Sequence, residues 1–154
     1  GSGFKENGRK TNRGVFFFSG AGFLDLGFEK AGFDIVFVNE FNKQFLDVYQ
    51  YARRNNEKLP QYGYSNEDIR IFLSDENWCS RFPRYNDRTN KLIGFIGGPP
   101  CPDFSVAGKN EGETGVNGQL TSVYVDLIVC REPDFFVFEK CKRLIQNPKT
   151  SRIL

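Results

Sequence analysis

A single thiol, Cys101, stands among prolines in the segment Pro99-Pro100-Cys101-Pro102. Prolines fix their own φ angles, so this backbone would hold the cysteine sulfur in place. A polar, glycine-rich stretch follows, and a thiol in such a loop is a candidate nucleophile. The alternative is a structural cysteine buried beside a rigid turn, because cysteines are often buried. The segment alone leaves both interpretations open.

Two glycines, Gly20 and Gly22, follow the apolar run 15–18 and precede apolar residues at helical spacing. Glycines there let the backbone approach a ligand at the positive end of a helix. Glu40 closes the next apolar run, where an acid can bind both ribose hydroxyls of a nucleotide-like ligand. A tight turn with a surface acid is the alternative. The pattern fits a dinucleotide and S-adenosylmethionine equally well.

Another acid, Glu139, directly follows the apolar run 135–138. Its carboxyl group could hydrogen-bond a ring nitrogen and an amino group of a base. The alternative is a solvated residue at the end of a strand, and from Glu139 alone that interpretation is preferred.

Short apolar runs predict the strands that must position these residues. We expect strands at 15–18, 35–38, 92–96 and 135–138, and a weakly marked one ending at 68–70. Apolar residues at helical spacing predict helices between them, with the faces Leu24, Phe28, Ala31, then Phe45, Val48, Tyr49, Ala52, then Leu120, Val123, Tyr124, Leu127, Ile128. Residues 74–90 are expected to be a polar loop anchored by Trp78 and Phe82.

The alternation of strands and helices indicates an α/β fold with a parallel sheet. Ligands bind such sheets at the carboxyl ends of the strands. The candidate residues all fall at those ends: Ser19 to Gly22, Glu40, Asp68, Cys101 and Glu139. We therefore expect them to share one site.

Composition narrows the classes of function. The 154 residues carry a net charge of only +2, which favours a nucleic-acid partner weakly. The four cysteines form no Cys-x-x-Cys pair and there is no histidine, so we expect no metal site and no disulfide framework. No membrane-length apolar run or signal peptide is visible, and a cytoplasmic location is expected.

Four segments together resemble the ordered motifs of the cytosine-C5 DNA methyltransferases: Phe18 to Gly22, Asn39-Glu40, residues 98–109, and Glu139. Their order and spacing agree over residues 15–147. The resemblance implies a Rossmann-like, S-adenosylmethionine-dependent methyltransferase fold with a mostly parallel sheet and helices on both faces. It also implies double-stranded DNA as partner, base flipping, and a restriction–modification system in the cytoplasm of a bacterium or archaeon.

The resemblance assigns roles to individual residues. Cys101 would be the nucleophile, and Glu139 would hold the target cytosine. Ser105 and Lys109 would contact DNA. S-adenosylmethionine, released as S-adenosylhomocysteine, would be bound by Phe18, Ser19, Gly20, Ala21, Gly22, Phe23, Leu24, Glu40, Phe41, Asp68, Ile69, Pro100 and Leu120. Three positions depart from the family pattern: Phe23 replaces a usual glycine, Pro102 a frequent glutamine, and Lys140-Cys141 a usual Asn-Val.

The resemblance also suggests the extent of the domain. We expect residues 1–13 to be a cloning remnant and lead-in. Residues 14–154 would be a partial catalytic domain, incomplete at its C-terminus and without a target-recognition domain. Such a chain would be a fragment, the visible part of a longer chain, or one subunit of a split enzyme, and inactive alone.

Three other hypotheses remain open from the sequence. A tRNA cytosine-C5 methyltransferase shares the motifs. A catalytically silent module could keep the fold, although it would not need Cys101 and Glu139. A nicotinamide-dependent dehydrogenase fits Gly20, Gly22 and Glu40, but it gives no reason for the Pro-Cys segment.

Overall fold

The computed structural model describes residues 12–56, 58–82, 92–100 and 116–139. Five strands form one parallel sheet in the order β3-β2-β1-β4-β5. The strands are β1 (Arg13–Phe17), β2 (Asp34–Asn39), β3 (Tyr64–Ser65), β4 (Ile93–Gly97) and β5 (Phe135–Phe138). The predicted α/β fold with a parallel sheet is confirmed.

Helices lie between the strands along the chain. They are α1 (Phe23–Lys30), α2 (Lys43–Ala52), a 3₁₀ helix (Ile69–Leu73), α3 (Asp75–Arg81) and α4 (Val116–Arg131). Helical crossovers of this kind are the usual way to connect parallel strands. No helix within the described ranges is both long enough and apolar enough to span a bilayer.

Both faces of the sheet are covered by helices. On one face Val15, Phe17 and Phe95 pack with Phe72, Trp78, Tyr124 and Leu127 from the 3₁₀ helix, α3 and α4. On the other face Val38 packs with Leu46 and Tyr49 of α2, and the ring of Phe16 meets that of Phe28 in α1. This double burial explains why β1 and β4 are apolar at nearly every position instead of alternating.

Aromatic rings make up much of the larger core. The ring of Phe17 meets that of Phe95 at 5.2 Å and 75°, and Phe37 meets Phe82 at 4.9 Å and 83°. Such edge-to-face pairs each contribute about 0.5–1.5 kcal/mol beyond the burial of apolar area. The many phenylalanines of the chain therefore serve mainly to fill the space between the sheet and its helices.

The predicted third strand is misplaced. Residues 68–70 do not extend a strand but begin the 3₁₀ helix, because the Asp68 side chain accepts a hydrogen bond from the backbone N–H of Arg70. The strand itself is Tyr64–Ser65, a few residues before the predicted end. Asp68 nevertheless follows the carboxyl end of β3, as the prediction required.

The polar loop predicted for residues 74–90 is also wrong in its first half. Residues Asp75–Arg81 form α3, and Trp78 and Phe82 face the core from one side of that turn. Their ring centroids lie 4.4 Å apart. A helix this short has too few periodic positions to stand out in a polar sequence. Residues 83–91 lie outside the described residues.

One predicted helix face differs and another agrees. In α2 the structure buries Leu46 and Tyr49, whereas Phe45 and Val48 are 50% and 52% exposed. Of the four predicted positions only Tyr49 is buried, because the side of α2 that packs on β2 and β3 is the one that carries Leu46 and Tyr49. In α4 the predicted face is confirmed, with Tyr124 and Leu127 fully buried.

Tyr124 locks the carboxyl end of β4 against α4. Its ring lies across Gly97, and its hydroxyl donates a hydrogen bond to the Val137 carbonyl of β5 at 3.0 Å. A β-carbon at Gly97 would come within 2.9 Å of the buried Tyr124 ring. The absence of a side chain at Gly97 is therefore required by the packing.

We expect Gly97→Ala to lower the free energy of unfolding by about 1–3 kcal/mol, because the buried Tyr124 ring must shift. Gly27→Ala in α1 is the control, since nothing lies within 4 Å of a β-carbon there. That change should stabilise the helix by up to about 1 kcal/mol. Chemical denaturation measures both, and equal effects of the two substitutions would contradict this account of the packing.

Candidate active site

The strands end in one row across the sheet. Ser65, Asn39, Phe17, Gly97 and Phe138 are successive partners in the register of β3, β2, β1, β4 and β5. The residues that follow this row leave the sheet at one edge, so their side chains and backbone groups are brought together. They include Phe18, Glu40, Gly98 and Glu139.

The carboxylate of Glu40 connects two of these strand ends. Its Oε1 accepts a hydrogen bond from the backbone N–H of Gly20 at 2.7 Å, and its Oε2 accepts one from Asn42 N–H at 2.6 Å. Hydrogen bonds to an ionised acceptor are short and strong, so the group is firmly oriented. A carboxylate has about four acceptor positions, which leaves capacity for further donors such as hydroxyl groups.

Phe18 leaves β1 in an unusual backbone conformation. Its φ is 55°, in the left-handed region that bulky residues rarely adopt. Its ring is edge-on to Tyr124, with 5.8 Å between centroids and 89° between planes. Strained residues of this kind persist where the surroundings hold them, and they concentrate at functional sites.

A cleft of about 580 Å³ opens at this edge of the sheet. Its size lies within the usual range for small-molecule sites. Among the described residues, its lining includes the following predicted site residues: Phe18, Gly20, Glu40, Phe41, Asp68, Ile69, Pro100 and Leu120. The structure thus brings together residues that follow β1, β2 and β4 with residues of α4 and of the 3₁₀ helix with its cap, as the sequence predicted for one site.

Other predicted cofactor residues do not line this cleft: Ser19, Ala21, Gly22, Phe23 and Leu24. Ser19 and Gly22 are buried beneath the turn, and Gly22 is the N-cap of α1. Phe23 is 85% exposed on the first turn of α1. Phe23 and Leu24 instead border a separate shallow depression between α1 and Phe33. Their assigned roles in cofactor binding stay predictions.

Several residues line the cleft without having been assigned a site role: Asn39, Asn42, Phe45, Arg70 and Gly98. Asn42 caps α2, because its side chain accepts from Phe45 N–H at 3.1 Å. An asparagine before an apolar helical pattern is a capping signal, so Asn42 could have been identified. Arg70 had no such signal, since its position follows from the turn at Asp68.

Asn39 ties the ends of β2 and β3 together. Its buried Nδ2 donates to the Glu67 carbonyl at 2.9 Å and lies 3.3 Å from the carbonyl and hydroxyl oxygens of Ser65. The next polar contact, Asn66 Nδ2 to the carbonyls of Glu40 and Phe41 at 2.9 Å, continues this connection. The backbone on both sides of the Glu40 carboxylate is therefore fixed.

Asp68 meets Arg70 at the far wall of the cleft. The Nη1 of Arg70 lies 2.9 Å from Oδ2 and 3.2 Å from Oδ1 of Asp68. Both side chains are partly exposed, so this pair contributes little to stability. Ile69, in contrast, is buried and offers an apolar edge to the cleft.

Glu139 lies beside the cleft at the end of β5. Its backbone N–H donates to the Gly97 carbonyl at 2.9 Å, and a β-carbon at Gly98 would lie 2.4 Å from its Oε2. Its side chain therefore covers Gly98, two residues before Pro100. Cys101, Ser105 and Lys109 lie outside the described residues. Within those described, no cluster of histidine, cysteine, aspartate or glutamate side chains could hold a metal ion.

A buried polar cluster lies beneath the glycine turn. It consists of Ser19, Asp25, Tyr49 and Arg53, of which Asp25 is only 1% exposed. Burial raises the pKa of Asp25 to about 6, and the nearby Tyr49, Ser19 and Arg53 oppose part of this shift. Burial and the neighbouring Asp25 also raise the pKa of Tyr49. Sequence reasoning did not identify this cluster, because its members are far apart along the chain.

A family model described as C-5 cytosine-specific DNA methylase matches residues 13–154. The chain belongs to this family. The resemblance inferred from the motifs is thus confirmed, and the match covers the strands, the cleft and the Pro-Cys segment alike.

Curated relatives of the chain agree with this assignment. The chain is 50% identical over 144 residues to the type II methyltransferase M.NmeDI of Neisseria meningitidis serogroup C, covering 92% of the chain and 34% of the relative. It is 35% identical over 136 residues to M.FnuDI of Fusobacterium nucleatum, covering 88% and 34%. The chain spans about a third of the length of these curated relatives.

Solved structures show the same architecture. One, described as a DNA modification methyltransferase encoded within an E. coli prophage, has a TM-score of 0.63 and 27% identity, covering 92% of this chain and 35% of that one. A Spodoptera frugiperda DNMT2 mutant has a TM-score of 0.56 at 14% identity, covering 91% and 38%, which shows the fold alone. The Rossmann-like methyltransferase fold expected from the motifs is confirmed.

The raised pKa of Asp25 predicts how stability depends on pH. Asp25 binds a proton more tightly in the folded protein, with a pKa of about 6, than at the ordinary value of 3.8. Its contribution to stability is therefore full below pH 4 and is lost as the pH rises through 6. The side chain in Asp25→Asn cannot ionise, so this variant does not lose that stability. Its free energy of unfolding relative to the wild type should therefore increase by on the order of 3 kcal/mol between pH 4 and pH 8.

Urea denaturation of the full-length protein at several pH values measures this difference. The control is Asp126→Asn, a matched change on the exposed face of α4. A constant difference between Asp25→Asn and the wild type across this range would show that Asp25 is not the buried carboxyl described above.

Proposed function

We propose that this chain is the cofactor-binding and nucleophile-bearing part of a DNA (cytosine-5-)-methyltransferase of a type II restriction–modification system. The observation that carries the proposal is the cleft at the strand ends, which is lined by the backbone-held carboxylate of Glu40 and by Pro100, the residue before Cys101 in the sequence. The enzyme would methylate C5 of a cytosine in duplex DNA. A cytoplasmic, bacterial or archaeal setting is part of the same proposal.

The lining of the cleft suits S-adenosylmethionine. Glu40 has acceptor capacity left for ribose hydroxyls, and Phe18 and Ile69 offer apolar surface for a flat base. Asp68 could accept from an exocyclic amino group in place of Arg70. The backbone of Gly20 would lie against the amino-acid portion. When bound, the cofactor supplies a methyl group on a sulfonium; every other step falls to the residues of this chain and its substrate.

Chemistry at cytosine C5 needs activation of the ring. In the proposed mechanism the Cys101 thiolate adds to C6, and the electron pair of the C5–C6 bond makes C5 nucleophilic. Glu139, hydrogen-bonded at N3 and the amino group, stabilises the charge that builds on the ring. C5 then takes the methyl group from the sulfonium, which is released as the thioether S-adenosylhomocysteine. The C5 proton passes to solvent water, its bonding electron pair re-forms the C5–C6 double bond, and Cys101 leaves as a thiolate.

The ring carbons of a paired cytosine cannot be reached within a stacked duplex. The target base would therefore have to leave the helix, at a cost of a few kcal/mol in lost stacking and pairing. Ser105 and Lys109, which follow Cys101 along the chain, are the proposed DNA contacts. Lys109 could pair with a backbone phosphate.

The relatives named above favour this function over the alternatives. M.NmeDI and M.FnuDI are both type II methyltransferases, which supports DNA over tRNA as the substrate. Membership of a methylase family also supports a methyl donor over a nicotinamide. A catalytically silent module is distinguished from an enzyme only by its activity.

A mechanism-based trap tests the reaction directly. The full-length protein is incubated with S-adenosylmethionine and duplex DNA in which 5-fluorocytosine replaces cytosine at random. Fluorine does not leave as a proton does, so the enzyme should stall as a denaturation-resistant adduct through Cys101. Cys101→Ala should give none. An adduct on RNA but not DNA would establish the tRNA alternative, and none on either would favour a silent module.

Removing the charge of Glu40 should weaken cofactor binding specifically. In Glu40→Gln one backbone N–H faces an amide NH₂ instead of an acceptor, so we expect the Kd for S-adenosylmethionine to rise at least tenfold, with DNA affinity unchanged. Glu76→Gln, on an exposed turn of α3, is the matched control. Isothermal titration measures both, and an unaltered Kd in Glu40→Gln would remove Glu40 from the site.

A further inference from the structure

Arg53 is a buried cation directly beneath the glycine turn. It follows the last residue of α2 and is 8% exposed. Its Nη2 donates to the Gly22 carbonyl at 3.2 Å, and its guanidinium carbon lies 4.1 Å from the centroid of the fully buried Tyr49 ring. The guanidinium group of Arg53 is therefore held between the Tyr49 ring on one side and the glycine turn on the other.

Gly22 is the point where the turn becomes a helix. Its N–H donates to the Ser19 carbonyl at 2.9 Å, which closes the turn around Gly20. Its carbonyl accepts from Leu26 N–H at 2.9 Å, the first hydrogen bond of α1, as well as from Arg53. A shift of the Gly22 carbonyl would therefore displace both the start of α1 and the turn.

Gly22 packs directly against the residues beneath it, and there is no room for a side chain. A β-carbon at Gly22 would lie 2.5 Å from Nη1 of Arg53 and 2.7 Å from the ring of Tyr49. The φ of Gly22 is 96°, which a residue with a side chain rarely adopts. The position of the turn is consequently set by the surface that Arg53 and Tyr49 present to it.

The turn in question is the one that reaches the cleft. Gly20 lines the cleft, and its N–H is the donor that orients Glu40. A shift of Gly22 would move Gly20 with it, because the Ser19–Gly22 hydrogen bond joins them in one turn. Arg53 itself is absent from the cleft lining, so any effect it has on a ligand there is indirect.

A guanidinium group fits the position between Tyr49 and Gly22 better than an ammonium group would. A buried cation is tolerated only where hydrogen bonds and nearby negative charge compensate its lost hydration. Arg53 has the Gly22 carbonyl, the face of Tyr49, and the neighbouring Asp25. A planar group can stack on a ring while donating in its own plane, which lysine cannot do.

We propose that Arg53 is a positioning residue for cofactor binding: by holding the Gly22 carbonyl against Tyr49, it fixes the turn whose Gly20 amide orients Glu40. The inference rests on the proposed function, because it takes the cleft to be the cofactor site. Arg53 does not touch the reacting atoms or the cofactor.

The adjacent arginine offers a matched control. Arg54 also stacks on a ring, that of Tyr51 at 3.9 Å, and also donates to a backbone carbonyl, Tyr51 O at 2.8 Å. It is exposed, however, and its guanidinium contacts Tyr51 and not Gly22. Arg53→Met and Arg54→Met thus remove the same kinds of contact at neighbouring positions, but only the first is connected to Gly22.

The test uses the full-length protein with S-adenosylmethionine and its DNA substrate. For Arg53→Met we expect the Kd and KM for S-adenosylmethionine to rise roughly tenfold, the loss of one hydrogen bond to a charged donor. The kcat at saturating cofactor and the KM for DNA should stay within about twofold of the wild type, because the reacting groups are untouched. Arg54→Met should leave all four values unchanged.

A merely structural role for Arg53 predicts a different pattern. Arg53→Met would then lower the Tm and the active fraction, and so the apparent kcat, while the KM for S-adenosylmethionine stayed at the wild-type value. That outcome would overturn the proposal. If Arg53→Met folds poorly, Arg53→Lys keeps the charge, and faster hydrogen exchange at the Gly20 and Gly22 amides is expected with it. Unchanged exchange there would equally count against the proposal.

The two proposals fail in distinguishable ways. A wild-type protein that binds no S-adenosylmethionine would refute the proposed function before any variant is made. A wild type that binds it, together with an Arg53→Met variant that binds it equally well, would refute only the role of Arg53.

Discussion

The hydrogen bonds between the Glu40 carboxylate and two backbone N–H groups hold the site together. One donor, Gly20, belongs to the turn after β1, and the other, Asn42, caps α2. Leaving the half-buried Gly20 N–H unsatisfied would cost up to about 1–3 kcal/mol, so the acid is needed by the fold before any ligand arrives. Its use as a ligand acceptor then requires no new orientation. This arrangement depends in turn on the register that ends β1 and β2 at the same level.

The main architecture was predictable because its signals are local. Runs such as 15–18 and 92–96 are apolar at successive positions, which is typical of strands covered on both faces. What failed was short or dependent on partners. The strand Tyr64–Ser65 exists because Asn39 and the backbone of β2 bind it, and α3 is recognisable only once Trp78 and Phe82 are seen to pack. Neither element has enough residues to show a periodic pattern of apolar side chains.

The site was predictable where residue types are tied to chemistry, as with Glu40, and where an ordered motif could be recognised. It was not predictable where contacts cross the fold. Nothing in the sequence connects Arg53 to Gly22, since α1, β2 and the whole of α2 separate them. The motif residues Ser19 and Gly22 illustrate a second difficulty. A motif marks a whole turn as important. In the structure its first and last residues, Ser19 and Gly22, are buried, so they shape the backbone and do not line the cleft.

The core and the cleft are joined most directly through Tyr124. Its ring packs on Gly97 and on Phe18, and its hydroxyl is bound by Val137, so β1, β4 and β5 meet at one buried side chain. Phe18 needs such support, because its left-handed backbone is strained and would relax if its ring were free. Leu120, one turn before Tyr124 on α4, lines the same cleft. The apolar wall of the site is therefore an extension of the aromatic core, and its shape follows from how closely α4 can approach the glycines at the end of β4.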